Sequence, residues 1–272
     1  MGLMKTITGS VKNPKRTLYR LETVLLEHFI SARNALSDLR RRRRAQLQSG
    51  LGVFDEILER SQARTDISDH LQTLFVESMP VRPSLIVELG VRGGESTFVL
   101  ERVAELHQAQ LVSVDIQDCS RVSRYPNWSF VKSDDIAFAG EFAAWCREHG
   151  TEPLIDILFI DSSHELDHTV QELIHWFPFL SDRAKVFFHD TNMKRVFKRR
   201  DGSIGLGWAN QRGVIAAIEQ YLGCSFDEQR DFTAFVEGWM VKHHANCSGL
   251  TILEKAQNIA VSRLHHESVV RA

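Results

Sequence analysis

The chain has 272 residues with 43% hydrophobic content, enough to bury the core of one large α/β domain and to carry an appendage. Residues 1–50 carry eleven Lys and Arg against three acids, about +8, and the rest carries 22 basic and 32 acidic residues, about −10, so a basic arm precedes an acidic body. The four cysteines (Cys119, Cys146, Cys224 and Cys247) form no C-x-x-C pair, and no apolar run suits a signal peptide or a membrane span; this excludes a zinc knuckle and a disulfide framework and leads us to expect a cytoplasmic protein.

In chain order, residues 1–15 are polar and basic. A helix is expected over 17–44, with Leu18, Leu21, Leu25, Phe29, Ala32 and Leu36 at three- and four-residue spacing. It ends in Arg40, Arg41, Arg42, Arg43 and Arg44, a solvated helix end or a peripheral contact with an anionic membrane, a partner subunit or nucleic acid. A linker at 48–52 leads to a short helix over 53–62. Asp66, Ser68 and Asp69 offer N-caps for a helix through Ser78, which Pro80 and Pro83 terminate. The domain proper is placed at 66–255, with the arm at 1–65 and a tail at 256–272.

Strands are expected at 85–89, 110–115, 128–132, 154–161 and 185–190, alternating with helices at 98–106, 138–149, 166–177 and 214–222. Two further strands, 232–241 and 250–253, follow without a helix between them. Strand–helix alternation predicts an α/β, Rossmann-like, mostly parallel seven-stranded sheet with helices on both faces and an antiparallel edge. The stretch 191–213 reads as a long basic loop of the kind that serves as a lid or binding loop.

The organising motif is the first strand and turn, Glu88-Leu89-Gly90-Val91-Arg92-Gly93-Gly94-Glu95-Ser96. Arg92 breaks the G-x-G-x-x-G dinucleotide fingerprint, and Glu95 after Gly94 excludes a P-loop. An acidic strand end suits a cationic ligand, and Gly90 and Gly94 let the backbone approach it. Asp115, 25 positions after Gly90, ends the second strand where an acid takes ribose hydroxyls. Asp134 follows the third strand and suits a helix N-cap before Ile136.

The E-x-G-x-x-x-G pattern of Glu88, Gly90 and Gly94 resembles motif I of the class I S-adenosylmethionine-dependent methyltransferases. The stretches Phe159-Ile160-Asp161-Ser162-Ser163-His164 and Phe188-His189-Asp190-Thr191 are similar to the metal-dependent O-methyltransferases grouped with cephalosporin hydroxylases and with rhamnosyl and macrolide-sugar O-methyltransferases. The resemblance spans about residues 66–225. It implies S-adenosyl-L-methionine as cofactor, bound by Glu88, Gly90, Gly94, Ser96, Asp115, Ile116 and Asp134; in the class I methyltransferases that this chain resembles, an acid at the place of Asp134 often meets the adenine amino group. It implies Mg2+ on Asp161, His189 and Asp190, with His164 and Asp161 catalytic. His189 stands where several relatives carry an acid. The acceptor implied is a hydroxyl of a sugar, polysaccharide or small natural product, and a homo-oligomer is expected.

Two other functions compete: an RNA methyltransferase using the basic arm, and a non-catalytic nucleotide-binding scaffold. The acidic body and the lack of an aromatic-interleaved basic groove disfavour nucleic acid. The stretch His164-Glu165-Leu166-Asp167-His168 spells H-E-x-x-H, but it directly follows a strand end, whereas a zincin needs both histidines within a helix. His168, His175, His243, His244, His265 and His266 read as solvated.

Overall fold

In the computed structural model, residues 22–31, 33–34, 38 and 52–256 are described. The chain divides into two compact units, Met1–Leu47 with Asp201–Ile204, and Gln48–Arg200 with Gly205–Ala272. The described residues of the first unit between 22 and 38 are helical, as the arm's periodicity predicts, and Leu25 and Phe29 are exposed. Arg40 to Arg44 lie outside the described residues, as do His265 and His266.

The second unit contains helices α1 (Gly52–Arg60), α2 (Leu71–Ser78), α3 (Glu95–His107), α4 (Asp135–Glu148), α5 (Leu166–Trp176) and α6 (Gly213–Leu222). Its strands are β1 (Leu85–Leu89), β2 (Gln110–Asp115), β3 (Trp128–Lys132), β4 (Ile155–Ile160), β5 (Leu180–His189), β8 (Phe232–Val236), β9 (Trp239–His244) and β10 (Leu250–Lys255). The large sheet has eight strands in the order β3-β2-β1-β4-β5-β10-β9-β8. Pairing is parallel from β3 through β5 and antiparallel from β5 through β10 and β9 to β8. Two short strands, β6 (Val196–Lys198) and β7 (Ile204–Leu206), lie within the predicted long loop and form a separate ribbon.

β1 and β4 are buried along their whole length because they sit at the centre of the parallel sheet with helices on both faces. Their side chains alternate between two cores. Leu85, Val87, Leu89 and Leu158 face Phe138, Phe142, Trp176 and Ile218 of α4, α5 and α6. Ile86, Ile157 and Phe159 face Leu71, Leu74, Val99, Leu100 and Val103 of α2 and α3. Ile57 of α1 joins this second core and is fully buried. The compact unit therefore includes a helix that the sequence reading assigns to the arm.

Three expectations need correcting. The sheet has eight strands, not seven, because residues 232–241 fold back at Glu237 and Gly238; both have positive φ, 47° and 80°, as a tight hairpin turn requires. The helix expected from Asp66 begins at Leu71. His243 is not solvated: it is 1% exposed, its Nε2 donates to the Glu228 carbonyl at 2.9 Å, and its Nδ1 lies 2.8 Å from the Thr251 hydroxyl.

The strand order reverses between β1 and β4, because the chain runs outward from β1 to β3 and then returns to place β4 on the other side of β1. In an open α/β sheet that point opens a crevice beyond the strands' carboxyl ends.

Candidate active site

A cleft of about 410 Å³ occupies this crevice. Gly90, Ser96, Asp115, Ile116, Asp134, Asp161 and His164 all line it, so the ends of β1 to β4 bring most of the predicted residues to one place. The turn after β1 is shaped by Gly90, whose φ of +90° and missing Cβ let it lie against the backbone of Asp161. Gly90 N donates to the Val114 carbonyl at 2.9 Å, and Asp161 N donates to the Leu89 carbonyl at 2.8 Å, fastening the ends of β2, β1 and β4 together.

Asp115 holds the turn. Its Oδ2 accepts from the backbone N–H of Val91 at 2.9 Å and of Arg92 at 3.0 Å, and its Oδ1 accepts from Gln117 N at 2.8 Å. A carboxylate has about four acceptor positions, so capacity remains for a ligand hydroxyl. Ile116, 70% exposed, offers an apolar face at the cleft. Asp134 caps α4, its side chain accepting from Ala137 N at 2.9 Å, and it also lines the cleft.

Glu88 and Gly94 are placed behind the turn. Glu88 is fully buried and accepts from the hydroxyls of Ser96 and Ser113, both at 2.6 Å, and of Thr97 at 2.9 Å. It braces β1 against β2 and α3. Burial pushes its carboxyl up to about 7 despite these three donors, with the charge of Asp161 adding to the rise. A Cβ on Gly94 would meet the Val122 side chain, not the cleft.

The second group of residues comes from the ends of β4 and β5. His164 Nε2 lies 2.9 Å from Asp161 Oδ1 and 3.2 Å from Asp190 Oδ2. Ligand-type atoms of Asp161, His164 and Asp190 fall within 4.8 Å of one another. His189 stands behind this trio, 1% exposed, with Nδ1 3.0 Å from Asp161 Oδ1. Of the predicted metal set, Asp161 and Asp190 are in the trio, and His164 takes the third place expected of His189.

The electrostatics are dominated by two acids facing two imidazoles. Burial opposes protonation of His189, but Asp190 and Asp161 outweigh it and raise its pKa to about 10. Burial likewise opposes ionisation of Asp161, yet His189 and His164 hold its pKa well below the carboxylate range. His164 is raised by the same acids against its own burial, and burial raises Asp190.

Sequence reasoning missed three participants. Arg92 reaches from the turn to Asp66 through two contacts of 2.7 and 2.8 Å at the lip of the cleft. His70, fully buried, packs edge-on against His189 with ring centroids 5.8 Å apart, and its Nε2 donates to the Asn246 carbonyl at 2.9 Å. Burial and the His189 charge hold its pKa well below 6.5, so it stays neutral. His168 is not free in solvent, since it pairs with Asp135 at 2.9 Å. An acid ahead of α2 and a lone histidine at its start carry no local pattern that would mark them.

Residues 87–191 match a family model described as a methyltransferase domain. No curated protein sequence matches the chain. Among solved structures, cofactor-bound Rv0187 from MTB aligns with a TM-score of 0.51 and 15% identity, over 80% of this chain and 96% of that one. The O-methyltransferase from Bacillus cereus in complex with SAH aligns with a TM-score of 0.50 and 11% identity, over 83% of this chain and all of that one. These identities speak for the fold, and the family match speaks for the segment that carries the cleft. Residues 87–191 therefore match a methyltransferase domain, within a fold of the class I, S-adenosylmethionine-dependent kind.

Proposed function

We propose that this chain is an O-methyltransferase that uses S-adenosyl-L-methionine to methylate a hydroxyl of a sugar or similar small natural product, assisted by Mg2+. The observation that carries this reading is the convergence of Asp161, His164 and Asp190 on the wall of the cleft that Asp115 and Ile116 line. Asp115 would take the ribose hydroxyls, Ile116 one face of the adenine, and Asp134 its amino group. The Bacillus cereus O-methyltransferase of the same fold is in complex with SAH, the product form of this donor.

The trio fits a hard divalent cation: it offers two carboxylates, and Asp190 Oδ1 is buried and makes no hydrogen bond, with His189 Nδ1 3.3 Å away. Asp161 and Asp190 would hold Mg2+, which supplies Lewis-acid stabilisation of negative charge on the acceptor oxygen. An aliphatic hydroxyl is a poor nucleophile near neutral pH, so its proton needs a destination. His164 would take it on Nδ1, the ring nitrogen that does not face the two carboxylates. The resulting imidazolium is matched by Asp161 at 2.9 Å and Asp190 at 3.2 Å. His189 donates from Nδ1 to Asp161 and fixes the carboxylate's orientation.

A second reading is supported by the double imidazole contact to Asp161 Oδ1: with His164 and His189 both pointing at it, His164 and Asp161 can act as a metal-free base pair. The test is release of S-adenosylhomocysteine from chelator-dialysed protein, over a panel of saccharides and glycosylated natural products, with and without added Mg2+. Metal-dependent turnover with Asp161→Asn impaired supports the first reading. Full turnover without added Mg2+ or Mn2+ removes the metal and leaves the second. Methyl transfer only to RNA or to nitrogen acceptors would sink both.

A further inference from the structure

A second cluster lies on the other side of Ser162, where the proposed mechanism uses nothing. Asp135 is the first residue of α4, and His168 and Glu172 are one turn apart on α5, which puts them on the same face of that helix. Ligand-type atoms of Asp135, His168 and Glu172 fall within 4.8 Å of one another. His168 Nε2 is 2.9 Å and 3.2 Å from the two Asp135 oxygens. Glu172 is fully buried; its Oε1 accepts from Ser162 Oγ at 2.5 Å, and its Oε2 is buried with no hydrogen-bond partner.

An orphaned carboxylate oxygen at zero exposure is costly unless something positive meets it. The nearest groups are another carboxylate and an imidazole, the donor types that take first-row divalent cations in preference to Mg2+. We propose that Asp135, His168 and Glu172 form a binding site for a divalent transition-metal cation of the Zn2+ type, distinct from the Asp161 trio. A bound cation would displace the proton that burial and the neighbouring Asp135 favour on Glu172 and the one that Asp135 favours on His168, leaving three side chains of charge −2 that it neutralises. Protein groups supply three ligands, and the fourth position opens to the cleft, which Asp135 and His168 line. The cation would pin α5 to α4 and, through Glu172, hold Ser162, the residue next to Asp161. This site stands whether or not the Asp161 trio binds Mg2+.

The experiment separates the two clusters. Chelator-stripped Asp161→Asn protein is titrated with Co2+, read by visible absorption, and with Zn2+, read by thermal unfolding. The expected result is one equivalent of Co2+ with a nitrogen-and-oxygen ligand spectrum and a Zn2+-dependent rise in Tm. Adding His168→Ala should weaken Zn2+ binding by at least about tenfold and abolish the Tm rise. His168 reaches the cleft surface, so this variant keeps the buried Glu172–Ser162 bond and is expected to fold; Asp135→Asn gives an independent second loss. Equal Zn2+ response in Asp161→Asn with and without His168→Ala would overturn the proposal. So would the absence of any response, which would leave the two carboxyls sharing a proton.

Discussion

Gly90 and Gly94 both have positive φ, but the obstacles facing an added side chain differ in kind. At Gly90 a Cβ would run into the Asp161 carbonyl, with its carbon at 2.7 Å and Ser162 N at 3.2 Å. All of these are backbone atoms, and they are fixed by the Asp161 N–H bond to Leu89. At Gly94 the obstacle is one methyl of Val122. Gly90→Ala should cost the strain of a left-handed L-residue plus a clash with nothing free to yield, together about 3–5 kcal/mol. Against a typical domain stability of roughly 5–15 kcal/mol this is a large loss. Gly94→Ala should be relieved by Val122→Ala, leaving the backbone strain of about 1–2 kcal/mol.

The assay is urea unfolding of the four variants and the wild type, with S-adenosylmethionine affinity measured by calorimetry. The double-mutant cycle at Gly94 and Val122 should give a favourable coupling of about 1 kcal/mol or more. Gly90→Ala should find no such rescue and should also weaken donor binding, because any relaxation moves Asp161. If Gly90→Ala unfolds within 1 kcal/mol of wild type, or is milder than Gly94→Ala, the close approach of the β1 and β4 ends is not what the turn requires.

Three further expectations follow from single residues or segments. Asp115→Ala frees the Val91 and Arg92 amides and removes the ribose partner, so S-adenosylmethionine affinity should fall about 10–100-fold by calorimetry, with an intact unfolding transition. Glu88, raised from 4.5 to about 7 in the folded state, contributes stability that is complete below 4.5 and lost as pH rises through 7; wild type should lose about 3 kcal/mol relative to Glu88→Gln across that window, and a pH-independent difference would refute the burial argument. A chain lacking residues 1–47 should keep its cooperative transition by circular dichroism, because both core clusters lie within residues 57–253.

The parts legible in the sequence were those written in local pattern. β1, β2 and β4 are short apolar runs ending in Glu88-Leu89, Asp115 and Asp161, and a buried parallel strand leaves little else for such runs to be. The cleft residues Gly90, Asp115, Asp134, Asp161 and His164 follow because each lies at a strand end that the sheet order brings together. What stayed hidden depends on distant pairing. His70 meets His189 across 119 positions, and Asp66 reaches Arg92 across 26. His243 was misread because alternation on β9 puts His243 inward, whereas a pair of adjacent histidines near the end of the chain reads as polar surface. The Glu237–Gly238 turn carries a weaker hairpin signal than Asn-Gly, and one strand was read where two exist.

Backbone strain also falls within the site. Among the described residues nine non-glycine positions have positive φ; six, such as Gln108 and Glu237, lie at helix ends, turns and loops, and three, Arg92 (47°), His164 (62°) and Asp190 (57°), follow the carboxyl ends of β1, β4 and β5. A left-handed histidine costs about 1–2 kcal/mol relative to glycine. At His164 the strain coincides with contacts to Asp161 and Asp190, so a functional role for the side chain rests on strain and site geometry together. Comparing His164→Gly with His164→Ala separates the two contributions. Both remove the imidazole, so both should lose turnover by a similar factor, about 10²–10⁴-fold. Glycine relieves the backbone and alanine does not, so His164→Gly should be the more stable by about 1 kcal/mol in urea unfolding, even though glycine ordinarily costs entropy on folding. If alanine proves equal or better, the left-handed backbone at His164 is not strained, and its conformation says nothing about function.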